Sequence, residues 1–131
     1  VQQKRGATGY CHRIICAQDY SAVTAACMMV KRRAYDEAGG LSEKLQVAFN
    51  DIDFCLKLQR AGYLVVYNPY AELYHYESKS RGLEDTPEKV ARFNREIKTF
   101  EERWPEILRD GDPYYNPNLT LDSQDFSLKR I

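Results

Sequence analysis

Two carboxylates two residues apart carry the clearest chemical potential in this sequence. They lie in Ala48-Phe49-Asn50-Asp51-Ile52-Asp53-Phe54-Cys55-Leu56-Lys57-Leu58. Asn50 suits a helix N-cap, because its side-chain oxygen can accept from an unpaired N–H that opens a helix. Asp51 and Asp53 then fall in the first turn, where the helix dipole favours negative charge. A carboxylate fixed there and open to a cleft can take a proton as a general base. An acidic first turn is also an ordinary helix-start signal that requires no chemistry. Ile52, Cys55 and Leu56, then Gln59 to Tyr63, recur at helical spacing and predict a helix from Asn50 to Ala61, ended by a left-handed turn at Gly62.

Other reactive side chains are less suggestive. His75 is a lone histidine at the end of a short apolar–polar alternation, a place where histidine is usually a satisfied polar residue. Cys11, His12 and Cys16 have zinc-ligand chemistry but no second ligand pair at a zinc-site spacing. Cys27 and Cys55 sit in apolar patterns and are expected to be small buried hydrophobes, with reduced thiols throughout. Asn118-Leu119-Thr120 spells a glycosylation sequon.

Nineteen basic and nineteen acidic residues balance. The only dense basic cluster, Lys31-Arg32-Arg33, reads as a solvated group rather than a phosphate track, which argues against a nucleic-acid binder. No apolar run has the length that a bilayer requires. The chain begins at Val1 without an initiator methionine or a targeting pattern, and it is short for an enzyme with donor- and acceptor-binding halves; we read it as a piece of a longer protein.

Several elements must position the carboxylates. Residues 21 to 31 are small, β-branched and apolar and predict a strand buried on both faces. Residues 33 to 38 predict a short helix, turned back by Gly39-Gly40. After the Asn50 helix, Tyr63–Tyr67 predicts a strand broken at Asn68-Pro69, and Ala71–Tyr76 a second one. Thr86-Pro87-Glu88 carries the cap, first-position proline and early acid of a helix start. That helix is predicted to run to about Arg103, with an apolar stripe of Val90, Phe93, Ile97, Phe100 and Trp104. Residues 110 to 131 predict an extended arm with a turn at Asn116-Pro117.

The order of these motifs resembles the C-terminal half of the catalytic domain of family-2, GT-A-fold glycosyltransferases, especially bacterial enzymes that build rhamnose-containing and O-antigen-type polysaccharides. The matching pieces are residues 21–32, Ala38-Gly39-Gly40-Leu41, Phe49-Asn50-Asp51-Ile52-Asp53-Phe54 and residues 74–82, with residues 112–119 as a further piece. The resemblance implies an α/β fold: a partial GT-A domain whose acceptor-side half occupies residues 1–83, a C-terminal helix at 84–108 and an extended tail at 109–131. It implies an inverting, metal-dependent transfer from a nucleotide sugar to a cell-surface glycan.

By motif position Asp51 matches the family's catalytic base, in a slot where related sequences usually carry Glu-Asp; here Asn50 precedes it and removes one charge. Asn50 and Asp53 would orient the helix start or bind the acceptor. His75 would ligate Mn²⁺ or Mg²⁺ at the diphosphate. Ser78, Ser80 and Arg81, with Lys79 a weaker candidate, would close over the diphosphate itself. The family's Asp-x-Asp metal motif and nucleotide-binding strands belong to its N-terminal half, and Asp51-Ile52-Asp53, which opens a helix, is not read as that motif. The piece alone is therefore expected to be inactive, cytoplasmic or at the inner face of the membrane, and self-associating through an uncovered apolar face.

Two other readings compete. One is a non-catalytic binding or assembly module that dimerises through the 86–104 helix and the tyrosine-rich tail. The other is a carbohydrate-binding domain using some of the ten tyrosines, which packing explains more cheaply.

Overall fold

The computed structural model describes residues 4–74, 86–123 and 125–130, and its centre is a helix flanked by apolar clusters on two sides. Among the described residues there are four α-helices: α1 (Arg32–Glu37), α2 (Asn50–Arg60), α3 (Pro87–Arg103) and α4 (Pro105–Asp110). The strands β1 (Gln18–Asp19) and β2 (Val66–Tyr67) pair antiparallel, Gln18 opposite Tyr67 and Asp19 opposite Val66. The described residues are thus mixed α/β, with far more helix than sheet.

The ends of α2 and α3 follow from local chemistry. Gly62, at φ +85°, closes α2; its N–H donates to the Gln59 carbonyl and the Tyr63 N–H to the Leu58 carbonyl. That pair of bonds satisfies carbonyls that a helix end otherwise leaves bare. Thr86 caps α3 by accepting from the Lys89 N–H at 3.4 Å, with Pro87 in the first turn. Ala38 and Gly39 end α1 in the same manner as Ala61 and Gly62 end α2.

Two apolar clusters flank α2. Leu56 packs with Leu45, Phe100 and Trp104, joined by Phe49 and Ile107. Phe54 and Leu58 pack with Ala34, joined by Met28, Val30, Tyr35 and Tyr63. Each such fully buried large side chain stabilises the fold by about 1.5–3 kcal/mol, so α2 holds the two halves together.

The segment predicted as a buried strand, residues 21 to 31, is instead a 3₁₀ turn at Ala25–Cys27 with extended flanks. Polar side chains one turn apart on α2 stitch it down. Asp51 Oδ2 accepts from the Ala25 N–H at 3.2 Å, Cys55 Sγ donates to the Val23 carbonyl at 3.8 Å, and Gln59 Nε2 donates to the Tyr20 carbonyl at 3.0 Å. Helix side chains replace ladder partners, and much of the segment stays uncovered: Met29 is 99% exposed. Cys27 is exposed as well, contrary to the expectation of burial, whereas Cys55 is buried and its thiol is pushed up by desolvation.

The predicted 63–67 strand shrinks to Val66–Tyr67, and no strand forms at Ala71–Tyr74; the remainder of that predicted strand lies outside the described residues. Helix α4 was not foreseen, since Trp104-Pro105 hid a fresh helix start behind a proline that is tolerated in a first turn. The tail is less extended than its composition implied. Leu119 bridges Leu128, Asn116 turns the chain by accepting from the Asn118 N–H at 2.9 Å, and Phe126 stacks on Tyr10 with ring centroids 4.8 Å apart. Ser21 Oγ also donates to Asp112 Oδ1 at 2.5 Å, so the tail returns to the start of the chain.

Gly40 is the glycine on which the α1–α2 connection depends. It lies at φ +65°, and a Cβ there would sit 2.9 Å from the Tyr35 ring. Gly39, at φ +74°, has open space around its would-be Cβ. Gly40→Ala is therefore expected to cost more than Gly39→Ala, which costs only the roughly 1 kcal/mol of a left-handed alanine. Urea melts of the two variants check this; equal midpoints would contradict it.

Candidate functional site

Asp51 opens α2 half-buried, its two oxygens used differently. Oδ2 accepts from the Ala25 N–H at 3.2 Å and Oδ1 from the Ile52 N–H at 3.0 Å. Both donors are backbone amides, so no cation neutralises the carboxylate through these bonds. Such an anion, fixed by amides at a helix N-terminus, has the form of a positioned proton acceptor.

Asp53, two residues further on, faces the opposite environment. It is 0% exposed. Oδ1 accepts from Arg103 Nη1 at 2.7 Å and from Trp104 Nε1 at 3.0 Å, while Lys57 Nζ lies 2.8 Å from Oδ2. Burial pushes its pKa up, but the donors Lys57, Arg103 and Trp104 outweigh burial and hold it below the ordinary carboxylate value. Asp53 is thus enclosed by cations from α2 and α3, with no surface presented to solvent. Although the two carboxylates share a spelling, they do not converge on one point.

Asn50 does not cap α2. Its Oδ1 accepts from the Ser42 N–H at 2.9 Å, across the loop that joins α1 to α2. The capping position is Phe49, whose side chain caps nothing and whose backbone is left-handed at φ +62°, ψ +3°. A bulky residue pays roughly 1–3 kcal/mol for such a conformation. The Phe49 carbonyl still begins the helix by accepting from the Asp53 N–H at 2.8 Å.

Helix α3 touches this loop repeatedly. The Phe49 ring lies against Phe100, at 5.2 Å between centroids, and against Phe93, at 5.8 Å. Glu96, only 3% exposed, accepts through Oε2 from the Ala48 N–H at 2.6 Å. Arg103 Nη1 reaches both Asp53 and Ser42 Oγ, the latter at 3.1 Å. Sequence reasoning missed Glu96 and Arg103 as contributors. The available signal was their spacing: with Phe93 and Phe100 they recur at three and four residues, placing a carboxylate and a guanidinium on the packed face of α3.

His75, Ser78, Lys79, Ser80 and Arg81 lie outside the described residues. Among those described, no three His, Cys, Asp or Glu side chains cluster as metal ligands. Cys11 and Cys16 are exposed and line, with Tyr10, Arg13, Tyr114 and Tyr115, an open cleft of about 270 Å³ between the start of the chain and its tail. Among the described residues no helix is long and apolar enough to cross a membrane.

The chain has clear relatives. It is 56% identical over 121 residues to the "uncharacterized protein y4gI" of Sinorhizobium fredii, a match covering 92% of this chain and 13% of that protein. It is 34% identical over 113 residues to the O-antigen biosynthesis protein RfbC of Myxococcus xanthus, covering 86% of this chain and 8% of RfbC. Over 60 residues it is 35% identical to the N-acetylglucosaminyl-diphospho-decaprenol L-rhamnosyltransferase of Mycobacterium tuberculosis, covering 46% of this chain and 20% of that enzyme. The chain spans a fifth or less of each of these relatives. No protein-family model matches it, and neither does any solved structure.

Proposed function

We propose that the chain is the acceptor-side half of an inverting, metal-dependent glycosyltransferase of family 2 with the GT-A fold. The parent would move a sugar from a nucleoside-diphosphate sugar to a cell-surface polysaccharide or related acceptor, in a bacterial cytoplasm or at the inner face of its membrane. The observation that carries this reading is Asp51: an amide-held carboxylate at a helix mouth, in the motif slot of the catalytic base. Its support is the similarity to proteins named for O-antigen biosynthesis and for rhamnosyl transfer. The division remains 1–83 for the acceptor-side half, 84–108 for the C-terminal helix and 109–131 for the tail.

In the reaction, Asp51 takes the proton of an acceptor hydroxyl as that oxygen bonds to the anomeric carbon. The bond from that carbon to the nucleoside diphosphate breaks on the opposite side, and the configuration inverts. Asn50, its side chain engaged by the Ser42 N–H, and Asp53, locked to α3, orient the turn that carries the base. Ser78, Ser80 and Arg81 would bind the departing diphosphate. A Mn²⁺ or Mg²⁺ ion held by His75 would supply positive charge there when bound.

The parent chain is expected to release nucleoside diphosphate from one of a panel of UDP-, dTDP- and GDP-sugars with Mn²⁺ or Mg²⁺, and the 131-residue piece to release none. Turnover by the piece alone would remove the half-enzyme reading, and an inert parent would favour a different one. That rival is a binding or assembly module, favoured by Val90, which stays 45% exposed on α3. Such a module would tolerate Asn at position 51.

A further inference from the structure

We propose that helix α3 is a positioning clamp for the turn that carries Asp51, with Glu96 and the Phe93–Phe100 pair as its working residues. The inference rests on the base role argued above for Asp51, but its own evidence is separate. The turn is entered through Phe49 in a left-handed conformation that a phenylalanine adopts only when its surroundings impose it. Those surroundings come from α3. Phe93 and Phe100 lie against the Phe49 ring, and Glu96 takes the N–H of Ala48, the residue just before it.

Glu96 is a poor choice for stability alone. Its side chain is buried, Oε1 has no hydrogen bond among the described residues, and Arg92 Nε is 3.7 Å from it. A buried carboxylate whose second oxygen is met only by the Arg92 ion pair at 3.7 Å carries a desolvation cost that an apolar residue at the same place on α3 would not. What the carboxylate adds is a fixed acceptor for one backbone amide, two residues before Asn50 and three before the base. At the other end of the same loop, Arg103 holds Ser42, whose own N–H is held by Asn50. The loop between α1 and α2 is thus pinned from α3 at Ser42, Ala48 and Phe49, and Asp51 lies two residues beyond the last of these. A displacement of about 1 Å at a reacting group is worth roughly a hundredfold in rate, so a pivot this close to the base has leverage over turnover.

The test uses the parent enzyme, with donor-dependent release of nucleoside diphosphate measured per folded molecule. Glu96→Ala is expected to lower kcat by about ten- to a hundredfold while the donor KM moves less than about threefold. Glu96→Gln, whose amide oxygen can still accept from Ala48, is expected to restore kcat to within about threefold of wild type. Asp51→Asn, run in parallel, separates the two claims. If it leaves release intact, the base assignment fails. If it abolishes release while Glu96→Ala turns over at the wild-type rate, the clamp is wrong and the base stands. Hydrogen exchange gives a readout independent of turnover. Glu96→Ala is expected to speed exchange at residues 47–53 and spare residues 55–60, and unchanged exchange at 47–53 overturns the clamp.

Discussion

Asp53→Ala is expected to destabilise the fold by about 3 kcal/mol, the range for removing one partner of a buried charge network. The variant strands Arg103 and Lys57 beside an apolar space and leaves Trp104 Nε1 without its acceptor. Arg103 and Lys57 keep 28% and 23% of their side-chain surface in water, which holds the cost to the lower end of that range. For a domain of this size the thermal midpoint should fall by about 10 °C. The pH dependence gives a second check. The folded carboxylate lies below its ordinary value of 3.8, so its contribution is fully present above pH 3.8 and is lost as pH falls through the lower, folded value. Calorimetry should therefore show wild type and Asp53→Ala well separated near neutrality and converging below pH 3.8. A constant separation at all pH values would mean that Asp53 stabilises by shape rather than by charge.

Asp51→Asn is expected to do the reverse. Asp51 is half-buried, and its carboxylate accepts from the amides of Ala25 and Ile52. Asparagine keeps one carbonyl oxygen for these amides, so stability should change by about 1 kcal/mol or less. An amide cannot take the acceptor's proton, and turnover of the parent should fall by roughly two to four powers of ten. Under the proposed function, two carboxylates separated by one isoleucine divide the labour, one holding the turn and the other serving as the base.

That division was only partly legible in the sequence. The extents of α2 and α3 were readable because their ends rest on local chemistry: Gly62 beyond one, Thr86-Pro87 before the other. The roles of Asn50 and Phe49 at the helix mouth were not, since they depend on Ser42 and on α3, eight and some forty to fifty residues away. Apolarity misled at residues 21–31. Continuous small hydrophobes read as a strand covered on both faces, yet here they lie beside α2, held by Asp51 and Cys55. Hydrophobic patterning reports which residues tolerate burial, not which element does the burying. Glu96 and Arg103 escaped notice for a related reason, because a charged residue on an apolar stripe reads as solvated until its partner is known.

The most direct measurement is donor-dependent nucleoside diphosphate release by the full-length parent, wild type against Asp51→Asn, across UDP-, dTDP- and GDP-sugars with Mn²⁺ or Mg²⁺. The account predicts release with one donor, at least about a hundredfold slower in a variant whose thermal midpoint is nearly unchanged. Equal release by the two proteins would contradict the assignment of Asp51 as the base.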